Sequence, residues 1–283
     1  MQIREALKEA SKKLYKSSTP DLDARLLLGV AMGATYEQLL LSYDKELSVD
    51  SEEEFFKLVT RRESMEPIAY IIGRQEFYGL DFIVNKNVLI PRPDTELLVD
   101  IMINDCNQRS DDEAITILEL GVGSGAISIT LAAQIITSEI TALDISSAAL
   151  KVAKTNAQVH NVLEQINFIK SDWYSGLSAE KYDYIVSNPP YISQGEKDQI
   201  VEETCIFEPD IALYASDNGL AAYKIIIASA HKYLKPCGKL VLEIGYLQKE
   251  AITNILREHA FTELNVKQDL AGRDRVIIAR QCV

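Results

Sequence analysis

The chain has 283 residues, 47% of them hydrophobic, with 29 basic and 42 acidic side chains and a net charge of −13. That length suits one sizeable domain plus a small one, and the acidic balance argues against DNA or free RNA as a substrate and favours a protein partner of basic character. No apolar run is long enough to span a membrane, the N-terminus is a charged amphipathic segment unlike a signal peptide, and Cys106, Cys205, Cys237 and Cys282 are scattered as in a reduced, cytoplasmic protein.

The first 72 residues are expected to be helical, with 10 basic and 13 acidic side chains, net −3. Ile3, Leu7, Ala10 and Leu14 recur at helical spacing. Pro20-Asp21 opens a second helix through Leu28, Thr35 caps a third through Ser42, and residues 50–63 form a fourth with Phe55, Phe56 and Val59 on its apolar side. The acidic run Glu52-Glu53-Glu54 lies at the start of that helix, where the helix dipole favours it, and reads as a solvated cap. Gly73 closes the region. A hairpin linker over residues 73–90 follows, with strands expected near 77–82 and 84–89. Ile90-Pro91-Arg92-Pro93 forms a rigid hinge, and Asp94 or Thr95 caps a helix over 96–106. Arg92 and Glu96 either line an entrance or serve as an interdomain salt bridge and cap.

From residue 91 onward, strands and helices alternate. The apolar strand 115–119 leads into Leu120-Gly121-Val122-Gly123-Ser124-Gly125-Ala126, and an apolar helix follows over 127–136. A glycine-rich turn there lets the backbone approach a ligand, but it also fits the dinucleotide pattern and does not choose between cofactors. The next strand, 139–143, ends in Asp144, placed to take both hydroxyls of a ribose; alternatively, Asp144 or Ser146 caps the helix starting near Ser147. A third strand, 167–170, precedes Asp172 and Trp173. Their carboxylate and indole suit an adenine amino group and ring, although a lone Trp is commonly a core residue. The fourth strand, 182–186, runs into Asn188-Pro189-Pro190-Tyr191. Two prolines cannot continue a strand, so the Asn188 side chain and the Pro189 carbonyl are left as acceptors beside an aromatic ring. That set suits a planar –NH₂ group held by both hydrogens. A helix over 218–234, a strand 238–244 ending near Glu243, a helix 248–259 and two last strands, 261–267 and 276–279, complete a seven-stranded sheet. Glu243 lies near the site or is structural, and its residue type does not decide. His160, His231 and His259 are isolated, so no metal site is expected.

Every candidate sits at the carboxyl end of a strand, where open α/β sheets bind ligands. Glu119, the G-x-G-x-G loop and the NPPY run together resemble a Rossmann-like S-adenosylmethionine-dependent methyltransferase. The hinge stretch PIAYIIGRQEFYGLDFIVNKNVLIPRPDTE, the segment Phe207-Glu208-Pro209 to Ala212-Leu213, and Gly272-Arg273-Asp274-Arg275 narrow the resemblance to the PrmC/HemK family, the glutamine methyltransferases of peptide-chain release factors. The resemblance implies three parts: a helical recognition domain over 1–72, the linker 73–90, and a methyltransferase domain over 91–283. It also implies S-adenosylmethionine held by Gly121, Val122, Gly123, Ser124, Gly125, Asp144, Asp172, Trp173 and Asn188. The substrate it implies is the glutamine of the Gly-Gly-Gln motif in class 1 release factors, bound by Asn188, Pro189, Pro190 and Tyr191, with Asn188, Pro189 and Tyr191 carrying the catalysis.

An amide nitrogen is a poor nucleophile, so placement is the protein's main task. Two acceptors on the N–H groups turn the lone pair toward the methyl and stabilise the positive charge that develops. Alignment is worth roughly 7–11 kcal/mol in the best cases. No general base is assigned. A monomer acting on a protein, without nucleic acid or membrane, is expected. The two alternatives are a DNA or RNA exocyclic-amine methyltransferase and a non-catalytic cofactor-binding scaffold, which the intact NPPY disfavours.

Overall fold

The computed structural model describes residues 1–109, 114–199 and 202–281. Cys282 lies outside them, and Cys106, Cys205 and Cys237 are thiols. The chain divides into two compact units, 1–74 with 201–207 and 75–200 with 208–283.

The first unit is helical. It contains α1 (Ile3–Lys13), α2 (Pro20–Met32), α3 (Tyr36–Leu40), α4 (Val49–Glu63) and α5 (Ile68–Ile72). The expected face of α1 is the buried one, with Ile3, Ala6, Leu7 and Ala10 inside. Pro20 starts α2, as the fixed φ of proline favours, but the helix runs a turn past Leu28 and stops at Gly33 in the left-handed conformation. Thr35 caps α3 in a capping box with Gln38. The helix α5 was not expected. Its five residues are too few for a periodic signal, and Gly73 terminates it in the left-handed region. Phe55, Leu58, Leu27, Leu28 and Leu14 are among the core residues. The core also encloses an ion pair: Arg62 Nε donates to Asp23 Oδ2 at 2.7 Å, and Asp23 accepts from Ser17 and Thr19 as well. Arg62 Nη1 reaches Glu203 at 2.5 Å, so the short helix Glu202–Phe207 belongs to this unit despite its distance in sequence.

The hairpin differs from expectation. Its strands are β1 (Arg74–Phe77) and β2 (Leu80–Ile83). Tyr78 and Gly79 both have positive φ, the signature of a two-residue type I′ turn, so the chain reverses five residues earlier than the hydrophobic alternation suggested. Residues 84–89 form no strand: Asn87 N–H donates to Asn85 Oδ1 in an Asx turn. Residues 75 onward of the hairpin fall within the second unit. Asn156 accepts from Ile83 N–H and donates to Ile83 C=O.

In the second unit α6 (Pro93–Asn107) is followed by β3 (Ile115–Leu120), α7 (Ala126–Gln134), β4 (Ser138–Asp144), α8 (Ser147–Val159), β5 (Ile166–Lys170) and β6 (Tyr182–Ser187). After α9 (Glu202–Phe207, of the helical unit) come α10 (Asp210–Leu213), α11 (Ala221–Tyr233), β7 (Leu234–Glu243), α12 (Lys249–Glu258), β8 (Glu263–Gln268) and β9 (Asp274–Arg280). Arg92, not Asp94 or Thr95, occupies the cap position of α6, because Pro93 fits the first helical turn. Three consecutive positive φ values at Asp217, Asn218 and Gly219 make a turn there, so α11 starts later than expected. The sheet is Rossmann-like, seven strands in the order β5-β4-β3-β6-β7-β9-β8. The first five run parallel; β9 is antiparallel to both β7 and β8. The central strands are apolar on both faces, as helix-covered parallel strands must be. Chain order reverses between β3 and β6, which is where a ligand crevice opens in this kind of sheet.

Candidate active site

The strands β3 and β6 are direct neighbours, with Leu120 opposite Ser187. Ser187 Oγ donates to Leu120 C=O at 2.7 Å, which locks the two strand ends together. The glycine loop and NPPY therefore emerge side by side.

The loop's backbone is set by three left-handed glycines, Gly121, Gly123 and Gly125. Gly121 and Val122 N–H both donate to Leu143 C=O at 2.9 Å, and Gly123 N–H donates to Asp144 Oδ2 at 2.9 Å. A Cβ on Gly121 or Gly123 would meet nothing within 4 Å, so the loop's open side can accept a ligand. Gly125 works differently. It starts α7, and a Cβ there would lie 2.6 Å from Ile129 Cδ1, so its smallness serves packing.

A cavity of about 350 Å³ opens beside the loop. Its size falls within the usual ~300–1,000 Å³ of small-molecule sites. Gly121, Val122, Gly123, Ser124, Asp144, Asp172, Trp173, Asn188 and Pro190 line it, which brings together most of the expected residues. Gly125, Pro189 and Tyr191 are not lining residues. Tyr191 packs against the hydrophobic core, and Gln248 Nε2 holds its carbonyl at 2.9 Å. The ring expected on the substrate's plane thus packs against the core and does not line the cavity.

Asp144 combines two positions. Its Oδ1 accepts from Ser146 N–H at 2.8 Å and its Oδ2 from Gly123, and each oxygen keeps a lone pair for a further donor. Burial raises its pKa while these bonds pull it down. Ser146, not Asp144, caps α8. Ser171 Oγ donates to Trp173 C=O and accepts from Gly176 N–H, which shapes the Asp172–Trp173 turn. The adjacent carboxylate, apolar ring and glycine backbone fit an adenosyl group.

Arg92 both lines the cavity and pairs with the buried Glu208, which also accepts from Ile90 N–H at 3.0 Å. The hinge and the Phe207-Glu208-Pro209 run meet through this carboxylate. Glu96 is not a lining residue and accepts from Tyr78 N–H at 2.9 Å, tying the hairpin turn to α6.

Thr95, which the sequence offered only as a helix cap, lines the cavity, and its Oγ1 accepts from Asn188 Nδ2 at 3.1 Å. Glu119 lines the cavity too. Ser128 N–H and Oγ both donate to it, and burial pushes it up to about 8. Glu243, left open by the sequence, is 1% exposed, and burial pushes it up to about 7. Only its position at a strand end beside NPPY could have signalled it. Among the described residues, no cluster of His, Cys, Asp and Glu could hold a metal ion, and no helix is long and apolar enough to cross a membrane.

Comparison with known proteins follows the same division. Residues 93–213 match the methyltransferase small domain, and residues 5–73 match the PrmC N-terminal domain. A release factor glutamine methyltransferase of Coxiella burnetii is 39% identical, with 99% of both chains covered. A bifunctional methyltransferase of Rickettsia conorii is 42% identical over 98% of this chain but only 57% of its own length, so the chain spans little more than half of such relatives. A methyltransferase of Pyrococcus furiosus shares the fold, at 15% identity and a TM-score of 0.54, over 81% of this chain and 98% of its own.

Proposed function

The chain belongs to the release factor glutamine methyltransferase family, and from that membership we propose that it methylates the side-chain amide nitrogen of the glutamine in the Gly-Gly-Gln motif of class 1 peptide-chain release factors, with S-adenosylmethionine as donor. The observation that carries this reading is the adjacency of the glycine loop and NPPY at the mouth of one cavity. S-adenosylmethionine supplies an already activated sulfonium methyl. The backbone of Gly121, Val122, Gly123 and Ser124 cradles the cofactor, Asp144 accepts from its ribose hydroxyls, and Asp172 and Trp173 face its adenine.

Asn188 Nδ2 is committed to Thr95, which leaves Oδ1 to accept one hydrogen of the substrate amide. The Pro189 carbonyl accepts the other. Held at both hydrogens, the amide nitrogen would present its lone pair to the sulfonium methyl; the N–C bond would form as the S–C bond breaks, releasing S-adenosylhomocysteine, and one N–H proton would pass to water. Both acceptors also stabilise the charge that develops on that nitrogen. Tyr191 supports this from the core side, as its packing indicates. The protein acts as a cytoplasmic monomer without contact to nucleic acid, in keeping with its net charge of −13.

Mass spectrometry of a purified class 1 release factor, incubated with this chain and S-adenosylmethionine, tests the proposal. One added methyl group on the Gly-Gly-Gln glutamine is expected. No transfer, or a methyl on another residue, contradicts it.

A further inference from the structure

We propose that Glu243 and Thr95 are positioning residues that fix which end of the Asn188 carboxamide faces the substrate. The inference rests on the reading of Asn188 Oδ1 as an acceptor for the substrate amide.

The two ends of an Asn carboxamide have nearly the same shape, but one accepts and the other donates. If Asn188 were flipped, it would present a donor to a donor, and the substrate amide could not be held. A neighbour must therefore choose. Among the described residues, Asn188 Nδ2 donates to Thr95 Oγ1, at 3.1 Å. A threonine hydroxyl can donate or accept, so it cannot choose alone.

Glu243 supplies the choice. It ends β7, one residue beyond Leu242, which lies opposite Ser187 at the end of β6, so Glu243 and Asn188 leave adjacent strands at the same level. An ionised carboxylate only accepts. Thr95 and Asn188 both lie near its side chain and favour its charged form, which pulls against the effect of burial. With the Thr95 proton pointed at Glu243, the Thr95 oxygen can only accept from Asn188. The Asn188 –NH₂ end is thus drawn to acceptors on the inner side, and Oδ1 is left facing the cavity.

The cost of this arrangement is visible. Glu243 is 1% exposed, and among the described residues its Oε2 has no hydrogen-bond partner. A buried carboxylate with an unmet oxygen is destabilising, and a fold has little reason to keep it without a task. The groups around it come from four other segments. Arg275 on β9 favours its charge and Asp94 on α6 opposes it. Tyr191 beyond β6 lies close by, and the Tyr223 hydroxyl on α11 donates to the Glu243 main-chain carbonyl at 2.8 Å. Burial outweighs the favourable neighbours and pushes the carboxyl up to about 7. When protonated, it becomes a donor as well and no longer imposes the order.

The test uses the full chain and intact release factor, with Glu243→Gln, Thr95→Val and Thr95→Ser. Glu243→Gln and Thr95→Val should each lower kcat by roughly 10–100-fold, the scale of a misplaced reacting group. Affinity for S-adenosylmethionine should not change, and Thr95→Ser should stay near wild type. The wild-type kcat should fall below about pH 7, and this limb should vanish in Glu243→Gln. In an Asn188→Ala background, Glu243→Gln should cost nothing further. A near-normal kcat in Glu243→Gln, a penalty that multiplies with Asn188→Ala, an equal loss of cofactor affinity, or a persistent acid limb overturns the inference. Asn188→Ala with wild-type turnover would instead refute the acceptor role of Asn188 itself.

Discussion

Asp144 combines a place in the loop with a place in the cavity wall. Its oxygens hold Gly123 and Ser146 N–H groups and still line the cavity. Asp144→Ala should weaken S-adenosylmethionine binding by at least the ~1.5–3 kcal/mol of a charged hydrogen bond, with added loss from a slackened loop. Unchanged affinity in a calorimetric titration would reduce Asp144 to a loop support. Asn188→Ala should leave cofactor affinity nearly intact and slow transfer by roughly 10²–10³. Glu243 makes a prediction of opposite sign for stability. Its folded pKa of about 7 lies above the ~4.3 of an unfolded chain. As pH rises between those values, the unfolded state releases its proton first, so the native state loses stability across that window. The stability of Glu243→Gln relative to wild type should therefore increase from about pH 5 to about pH 7.5 and then level off. Urea midpoints at the two pH values measure this, and a pH-independent difference would contradict it. At this scale the residue types at Gly121, Gly123, Asp144, Asp172, Trp173 and Asn188 were legible, because their chemistry is local. Gly125, Tyr191 and Glu243 were not. Gly125 depends on Ile129 and Tyr191 on the core, and the role proposed for Glu243 depends on Thr95 and Asn188, all neighbours in space.

The elements read most clearly where length and periodicity were strong. The strands β3 to β6 fall within a residue or two of expectation, since each is a short apolar run ended by a glycine, an acid or prolines. The hairpin was misplaced because the apolar residues Phe77, Phe82 and Val84 do not mark the turn, which only the left-handed Tyr78-Gly79 pair defines. The helix Glu202–Phe207 was invisible as part of the helical unit, because its tie is the Arg62–Glu203 ion pair across 141 residues of sequence. That network gives a prediction for the unit. Asp23→Ala leaves Arg62, 6% exposed, without its most buried partner. Removing one member of a buried ion pair typically costs about 3–5 kcal/mol, and the helical unit should be destabilised by that order. Cofactor affinity should not follow, since the glycine loop lies in the other unit. Chemical denaturation read by circular dichroism, paired with calorimetry, separates the two effects. A loss under about 1 kcal/mol would mean that Ser17, Thr19 and Glu203 hold the arginine without Asp23.

For the whole molecule, a net charge of −13 and two compact units set the kind of partner that suits the chain. Both parts of the sequence are acidic, which supports the proposal of a protein loop over a polyanion as substrate. A glutamine that follows two glycines sits on a flexible loop that can enter a cavity without unfolding its owner. A short peptide bears the full ordering cost of that loop and has little remote surface to offset it, whereas an intact factor arrives with that surface in place. The most direct test of the account is the initial rate of methyl transfer, from one pool of S-adenosylmethionine, to three acceptors in parallel: intact class 1 release factor, a Gly-Gly-Gln peptide, and a single-stranded oligonucleotide with exposed adenines. The account predicts rapid transfer to the glutamine of the intact factor, much slower transfer to the peptide and none to the oligonucleotide. Methylation of the oligonucleotide at a rate matching that of the factor would contradict it.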